Sequence, residues 1–299
     1  MFVVTGATGH TGKIVAERLL GQKRKVRAIG RSKDRLQPLA ARGAEAVVAD
    51  LGDQAALAKA FKGADAVYVM IPPNEKSQDP LGYSRRVAQA ITGALQESGV
   101  KYAVQLSSVG ADKDVRTGPV VGLHQFEKML DTIPDLNVLY LRPAYFMENT
   151  LGQAAAVAKM GYAVGLLRSD LRLPMIATKD ISNRVAELLL DLNFRGKQIH
   201  ELLGHADLTM SEVANTIGRV IGKPGLIYKQ LPPEQVKPVL EQMGLSAPSA
   251  DLIIEMSSAL NSGHMRALEP RTEQNTTPTS YETFVKEELL PLYQQQQAA

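Results

Sequence analysis

Apolar and polar positions follow a clear rhythm along the first half of the chain. Short β-type runs are separated by stretches whose apolar residues recur every three or four positions, as in a parallel sheet covered by helices. The runs predict strands at 2–5, 26–29, 46–49, 66–70, 103–106 and 138–141, and the intervening periodicity predicts helices at 13–20, 54–61, 83–97 and 123–130. In the first helix Ile14, Val15, Leu19 and Leu20 share a face, and in the third Val87, Ile91 and Leu95 do so at four-residue spacing, so these faces should lie on the sheet. Asp53 stands where an N-cap of the second helix belongs, and Gly99 where a left-handed C-cap of the third belongs.

Beyond Pro143 the rhythm gives way to helices and short extended pieces. Ile181, Val185, Leu188, Leu189 and Leu192 form one apolar face of a helix at 181–192, and Thr209 followed by Glu212 is a capping box that opens a helix at 210–221. The expected architecture is α/β: a Rossmann-type doubly wound parallel sheet at 1–150, with a smaller, mainly helical lobe at 151–299. A segment near 199–203 is expected to return one strand to the sheet. There is no internal repeat, and the glutamines Gln294–Gln297 read as a frayed tail.

At 299 residues and 44% hydrophobic content the chain can bury a large core. A net charge of +3 with 22% charged residues describes an ordinary soluble protein and implies no nucleic acid partner. The apolar runs are too short to span a membrane, and a strand already at Phe2 leaves no room for a secretory leader. No cysteine is present, which removes disulfides, thiolate metal sites and Cys nucleophiles and fits a cytoplasmic location. The five histidines are scattered, without a metal-ligand constellation.

The strongest chemical signal is Gly6-x-x-Gly9-x-x-Gly12, set between an apolar strand and an amphipathic helix. A tight turn, close approach of backbone to a pyrophosphate, and close helix–strand packing all demand small residues there. A P-loop is excluded, because five residues separate Gly6 from Gly12 and Ile14 follows Lys13 where Ser or Thr would bind Mg²⁺. The acid that would bind the ribose 2′-hydroxyl of NAD at the end of the second strand is missing. In its place stand Arg31, Lys33 and Arg35, so the expected cofactor is NADP(H), with Arg31 best placed for a 2′-phosphate.

The segments 5–12 (TGATGHTG), 26–31 (VRAIGR), 106–111 (LSSVGA) and 141–149 (LRPAYFMEN) together resemble the NmrA-like family of atypical short-chain dehydrogenases/reductases. The resemblance is dense over the first half and thinner beyond, where it rests on 177–181 (ATKDI) and a last helix near 281–290. It implies that Gly6, Thr8, Gly9, His10, Thr11 and Gly12 line the pyrophosphate, Arg31 meets the 2′-phosphate, and Asp50 and Leu51 flank the adenine. Ile71, Pro72 and Ser107 would then lie along the cofactor, and Pro143, Tyr145 and Phe146 near the nicotinamide. Asp50 is equally open to a role as a turn acid, and Tyr145 and Phe146 to packing between lobe and sheet.

The proton-transfer pair of the larger superfamily, a Tyr followed four positions later by a Lys, is replaced here by Val120 and His124. His124 is the one candidate acid/base on that helix; it is equally a candidate to bond the nicotinamide ribose or a buried partner. Two functions follow. One is an NADPH-dependent reductase of an electrophilic small molecule such as a quinone or azo compound, bound between sheet domain and lobe. The other is a non-catalytic NADP(H) sensor acting on a protein partner.

Overall fold

The computed structural model describes residues 1–298. Every second element of the first half is a strand, and the strands pair in parallel. The order is β1 (Phe2–Val4), α1 (His10–Gly21), β2 (Val26–Gly30), α2 (Lys33–Ala41), β3 (Glu45–Val48), α3 (Gln54–Phe61), β4 (Ala66–Val69), α4 (Pro80–Ser98), β5 (Tyr102–Leu106), α5 (Val120–Asp131) and β6 (Asn137–Pro143). After β6 the chain forms β7 (Tyr145–Phe146), a 3₁₀ turn (Met147–Thr150), α6 (Gln153–Met160), β8 (Ala163–Gly165), β9 (Leu173–Ile176), α7 (Thr178–Asp191) and β10 (Lys197–Leu202). It ends with β11 (Ala206–Leu208), α8 (Met210–Val220), β12 (Tyr228–Gln230), α9 (Pro233–Gln242), α10 (Ala247–Ser262), α11 (Tyr281–Phe284), a π turn (Val285–Leu289) and α12 (Leu290–Ala298).

Seven strands form one sheet in the order β3-β2-β1-β4-β5-β6-β10, every pair parallel. The order reverses direction between β1 and β4, so the C-terminal ends of these strands frame the crevice where ligands of doubly wound sheets bind. One face is covered by α1, α2 and α7, whose Val15, Leu19, Leu36, Ile181 and Val185 pack with Val4 and Ala28. The other is covered by α3, α4 and α5 through Leu57, Val87, Ile91 and Phe126. Asp53 caps α3 by accepting from the Ala56 amide, Gly99 closes α4 in the left-handed region, and the Thr209–Glu212 capping box opens α8.

A helix not foreseen follows β2, where Ser32 accepts from the Arg35 amide and starts α2. Two expectations are corrected. The helix expected at 123–130 begins three residues earlier, at Val120. The glutamines expected to fray continue α12 as an exposed helical end.

The chain after residue 150 serves both regions. Its α7 and β10 complete the sheet domain, and the remainder builds the lobe around a separate core of Met147, Val157, Leu173, Met210, Val213, Ile217, Phe284 and Leu289. The lobe carries two small sheets, β11-β9-β7 and β12-β8, besides its helices. Two carboxylates fasten lobe to sheet: the half-buried Glu148 accepts from the Thr178 amide and hydroxyl at 2.8 and 2.6 Å, opening α7, and the buried Asp180 accepts from the amide and hydroxyl of Thr279 at 3.0 and 2.8 Å. Among the described residues no helix is long and apolar enough to cross a membrane.

Candidate functional site

The glycine loop is pinned from both neighbouring strands. The Thr5 amide and hydroxyl donate to the Tyr68 carbonyl of β4, and the Ala7 amide donates to the Ile29 carbonyl of β2. Gly6 has φ +59°, a left-handed conformation that side chains resist. Gly12 explains itself by distance: a Cβ there would lie 2.4 Å from the Gly6 carbonyl oxygen, so α1 rides directly on the loop. Gly9 is the N-cap of α1 and offers no side-chain acceptor, which leaves the first amides of the helix free of a capping side chain. A Cβ on Gly9 would meet only the Gly6 carbonyl oxygen, at 3.3 Å, so its outer side is open.

The predicted loop residues divide by orientation. Gly9 and His10 are exposed and Thr8 half-buried, whereas Thr11 is buried with its hydroxyl 2.8 Å from that of Tyr68. Thr11 therefore reaches the loop surface through its backbone, while its side chain ties α1 to β4. Burial raises the Tyr68 phenol above its ordinary range, so this hydroxyl pair stays neutral. Arg35 donates to the Thr8 carbonyl at 2.7 Å and so braces the loop. Arg31 stands exposed at the end of β2, with no ion pair among the described residues. Gly30 admits this packing, since a Cβ there would sit 3.1 Å from Thr8 Cγ2.

Asp50 is exposed and accepts from the Gly52 amide at 2.8 Å, closing a short turn after β3. Leu51 is buried in the α3–α4 core. The Tyr83 phenol of α4 is raised chiefly by burial, with the charge of Arg31 opposing and that of Asp50 adding to the shift.

Beyond the loop, the C-terminal ends of β4, β5 and β6 open into a cavity of about 620 Å³. Ile71, Pro72, Ser107, Tyr145 and Phe146 all line it, and Val120 and Leu123 contribute the wall from α5. The opposite wall, not foreseen from sequence, is Leu252, Ile253, Met256 and Leu260 of α10 with the irregular segment 263–267 that follows it. The surface is predominantly apolar, as ligand pockets generally are. Two predicted residues stand elsewhere. Pro143 is buried, its carbonyl accepting from the Val109 amide at 3.0 Å. His124 turns Nδ1 toward the Ala111 carbonyl oxygen, 2.8 Å away, and is not part of the cavity wall.

Of the hydroxyls at the wall, those of Ser107 and Ser108 are engaged, while those of Tyr83 and Ser84 have no hydrogen-bond partner among the described residues. The Ser107 hydroxyl donates to Glu127 Oε1 at 2.5 Å, and Glu127 is held by Arg142 in a two-pronged pair, Nε to Oε1 at 2.9 Å and Nη2 to Oε2 at 2.5 Å. Both charged side chains are almost wholly buried behind the cavity floor. Ser108 donates to the Val109 carbonyl. Burial pushes the Tyr145 phenol up to about 12, opposed by Asn149 beside it. At neutral pH it is a hydrogen-bond donor and a poor base.

The NmrA-like family model matches residues 1–286. The chain belongs to this family. Among curated NmrA-like relatives, quinone oxidoreductase 2 of Escherichia coli is 28% identical over 271 residues, 88% of this chain and 89% of that protein. The NAD(P)H azoreductase of Xenophilus azovorans is 27% identical over 86% of each chain. Among solved structures, the Escherichia coli NADPH-dependent quinone oxidoreductase complexed with NADPH superposes with a TM-score of 0.77 at 23% identity, covering 100% of this chain and 99% of that one. The triphenylmethane reductase of Citrobacter sp. complexed with NADP(H) gives 0.78 at 20% identity, covering 99% and 100%. At these identities the structures establish the Rossmann-like fold with its helical C-terminal region.

Proposed function

We propose that this protein is an NADPH-dependent reductase that passes hydride to an electrophilic small molecule, such as a quinone or azo compound, bound between the sheet domain and the lobe. The observation that carries the reading is the apolar cavity of about 620 Å³ at the C-terminal ends of β4, β5 and β6, adjoining an open glycine loop. A sensor without chemistry has no need of such a cavity, which favours the reductase.

The residues present fit a dinucleotide phosphate. Gly9 leaves open space before the uncapped N-terminus of α1, where amide donors and the helix dipole favour a pyrophosphate. Arg31 is free to meet a 2′-phosphate with charge-assisted hydrogen bonds, and no carboxylate closes β2 to repel it. In this reading Thr8, Gly9, His10 and the Thr11 backbone hold the pyrophosphate, while Ile71, Pro72 and Ser107 flank the cofactor. Bound there, the dihydronicotinamide supplies the hydride.

The chain then has three tasks: to orient an acceptor, to exclude water, and to deliver a proton late if at all. Tyr145 and Phe146 of β7, Leu123 of α5 and Ile253 and Met256 of α10 supply apolar faces for the first two. For the third, the candidate bases nearest β5 and α5 are engaged, Glu127 being ion-paired behind Ser107 and His124 facing Ala111, and the one carboxylate lining the cavity among the described residues is the exposed Glu75. An acceptor already electrophilic needs little proton assistance, whereas oxidation of an alcohol needs a base for the hydroxyl proton. The arrangement suits the first and not the second.

Anaerobic NADPH oxidation against quinones, azo dyes, enals and simple ketones tests this, with NADPH and NADH affinities measured alongside. Rapid turnover of the strong electrophiles and little of the ketones is expected. Tight NADPH binding without turnover of any acceptor would overturn the reductase in favour of the sensor.

A further inference from the structure

Three charged side chains line the otherwise apolar cavity: Glu75, Arg172 and Arg266. Arg172 is already engaged, donating to Glu212 Oε1 and to the Asp207 carbonyl at 2.8 Å each. Arg266 has no ion pair and no hydrogen-bond acceptor among the described residues, and its side chain is exposed at the cavity rim. Its backbone, in contrast, is fixed on both sides. The Met265 amide donates to the Ala259 carbonyl at 3.0 Å, and Met265 is buried against Gly110, where a Cβ would come within 2.4 Å of its side chain. Two residues on, the amides of Leu268 and Glu269 both donate to Glu201 Oε2, at 2.8 and 2.9 Å. A buried carboxylate of β10 thus holds the strap that carries Arg266, and the guanidinium extends from an anchored base toward the mouth of an apolar chamber.

A planar cation at the edge of low-dielectric walls recognises an anion, since carboxylate, sulfonate and phosphate oxygens match its fork of donors. We propose that Arg266 selects for acceptors with an apolar body and one anionic group, the body filling the cavity and the anion lying at the rim. The assignment rests on the reductase reading and names the substrate class of the same site. No bond is made or broken by Arg266; it acts as a specificity-determining residue.

The test compares 1,4-naphthoquinone with its 2-sulfonate under NADPH, for the parent protein, Arg266→Ala and Arg266→Lys. The quantity read is kcat/KM for the sulfonate divided by that for the neutral quinone. One charge-assisted contact, discounted for exposure, predicts a fall of about three- to fivefold in this ratio for Arg266→Ala and partial retention for Arg266→Lys. Equilibrium binding of the same two quinones, followed calorimetrically without cofactor, should show the same discrimination. If neither quinone is reduced, the reductase reading fails, while calorimetric preference for the sulfonate that depends on Arg266 still supports the assignment. A ratio and a binding preference unmoved by Arg266→Ala overturn it. So does preference for a quinone bearing a quaternary ammonium group, which would place control at Glu75.

Discussion

The buried pair behind the cavity floor makes the sharpest stability prediction. Replacing Arg142 by Met keeps an apolar stem of similar reach but removes two charge-assisted hydrogen bonds to Glu127, at 2.9 and 2.5 Å. Glu127, whose side chain is 4% exposed, is then left with the Ser107 hydroxyl as its one remaining side-chain partner. Removing one member of a buried pair strands the other charge and costs about 3–5 kcal/mol. At roughly 2–4 °C per kcal/mol for a chain approaching this size, the midpoint of thermal unfolding should fall by roughly 6–20 °C. The double variant Glu127→Leu with Arg142→Met strands no charge and should recover most of the loss, short of about 1 kcal/mol for the Ser107 hydroxyl left without its acceptor. Urea unfolding of the parent, single and double variants at pH 7.5 measures these differences. At pH 5 the deficit of Arg142→Met should be smaller, because a proton can neutralise the stranded carboxylate. A single-variant loss below about 1 kcal/mol, or a double variant no more stable than the single, would refute the claim that pairing of buried charge governs this site.

Three further outcomes bear on the cofactor and the chemistry. Arg31→Ala should weaken NADPH at least several-fold and spare NADH in a direct binding titration; equal losses for both would show Arg31 to be a solvated surface cation. Gly9→Val should keep the fold and lose stabilisation by NADPH in a thermal shift assay, whereas Gly12→Ala should destabilise the protein even without cofactor, because its Cβ would lie 2.4 Å from a carbonyl oxygen; similar behaviour of the two would contradict the division of labour in the loop. His124→Gln should leave quinone reduction within about threefold, and a fall of about 10²–10⁴-fold at unchanged NADPH affinity would instead make His124 a general acid or base.

What the sequence makes legible is whatever a local backbone demand dictates. Gly6, Gly9 and Gly12 are readable because turn, phosphate approach and helix packing each exclude a side chain at a fixed spacing, and Asp53, Gly99 and the Thr209–Glu212 box because caps are local. Side-chain direction is another matter. Thr11 turns inward because Tyr68, 57 residues away, offers a hydroxyl, and Ser107 turns toward Glu127, 20 residues on. No spacing rule relates such residues. The roof of the cavity is harder still, since α10 and the 263–267 strap face β4–β6 only after the lobe folds back. A weak signal was present in Ser246, which caps α10, and in Gly263, which ends it, but neither says what the helix covers.

The segment 142–146 shows why stability and activity should be coupled in this protein. Arg142 turns its side chain into the buried pair with Glu127, and the Pro143 carbonyl accepts from Val109 in the loop after β5. The Ala144 amide donates to the Leu202 carbonyl at the end of β10, and Tyr145 and Phe146 pair with Met175 and Ile176 of β9 while lining the cavity. Five consecutive residues therefore connect α5, β5, β10, the lobe and the cavity wall. Because packed interiors transmit strain, a change at Arg142 is expected to disturb the placement of Tyr145 and Phe146 in the cavity wall. Hydride transfer depends steeply on the approach of two reacting atoms, and displacement of about 1 Å can cost about 10²-fold. A variant of Arg142 should therefore lose turnover at temperatures well below its unfolding transition.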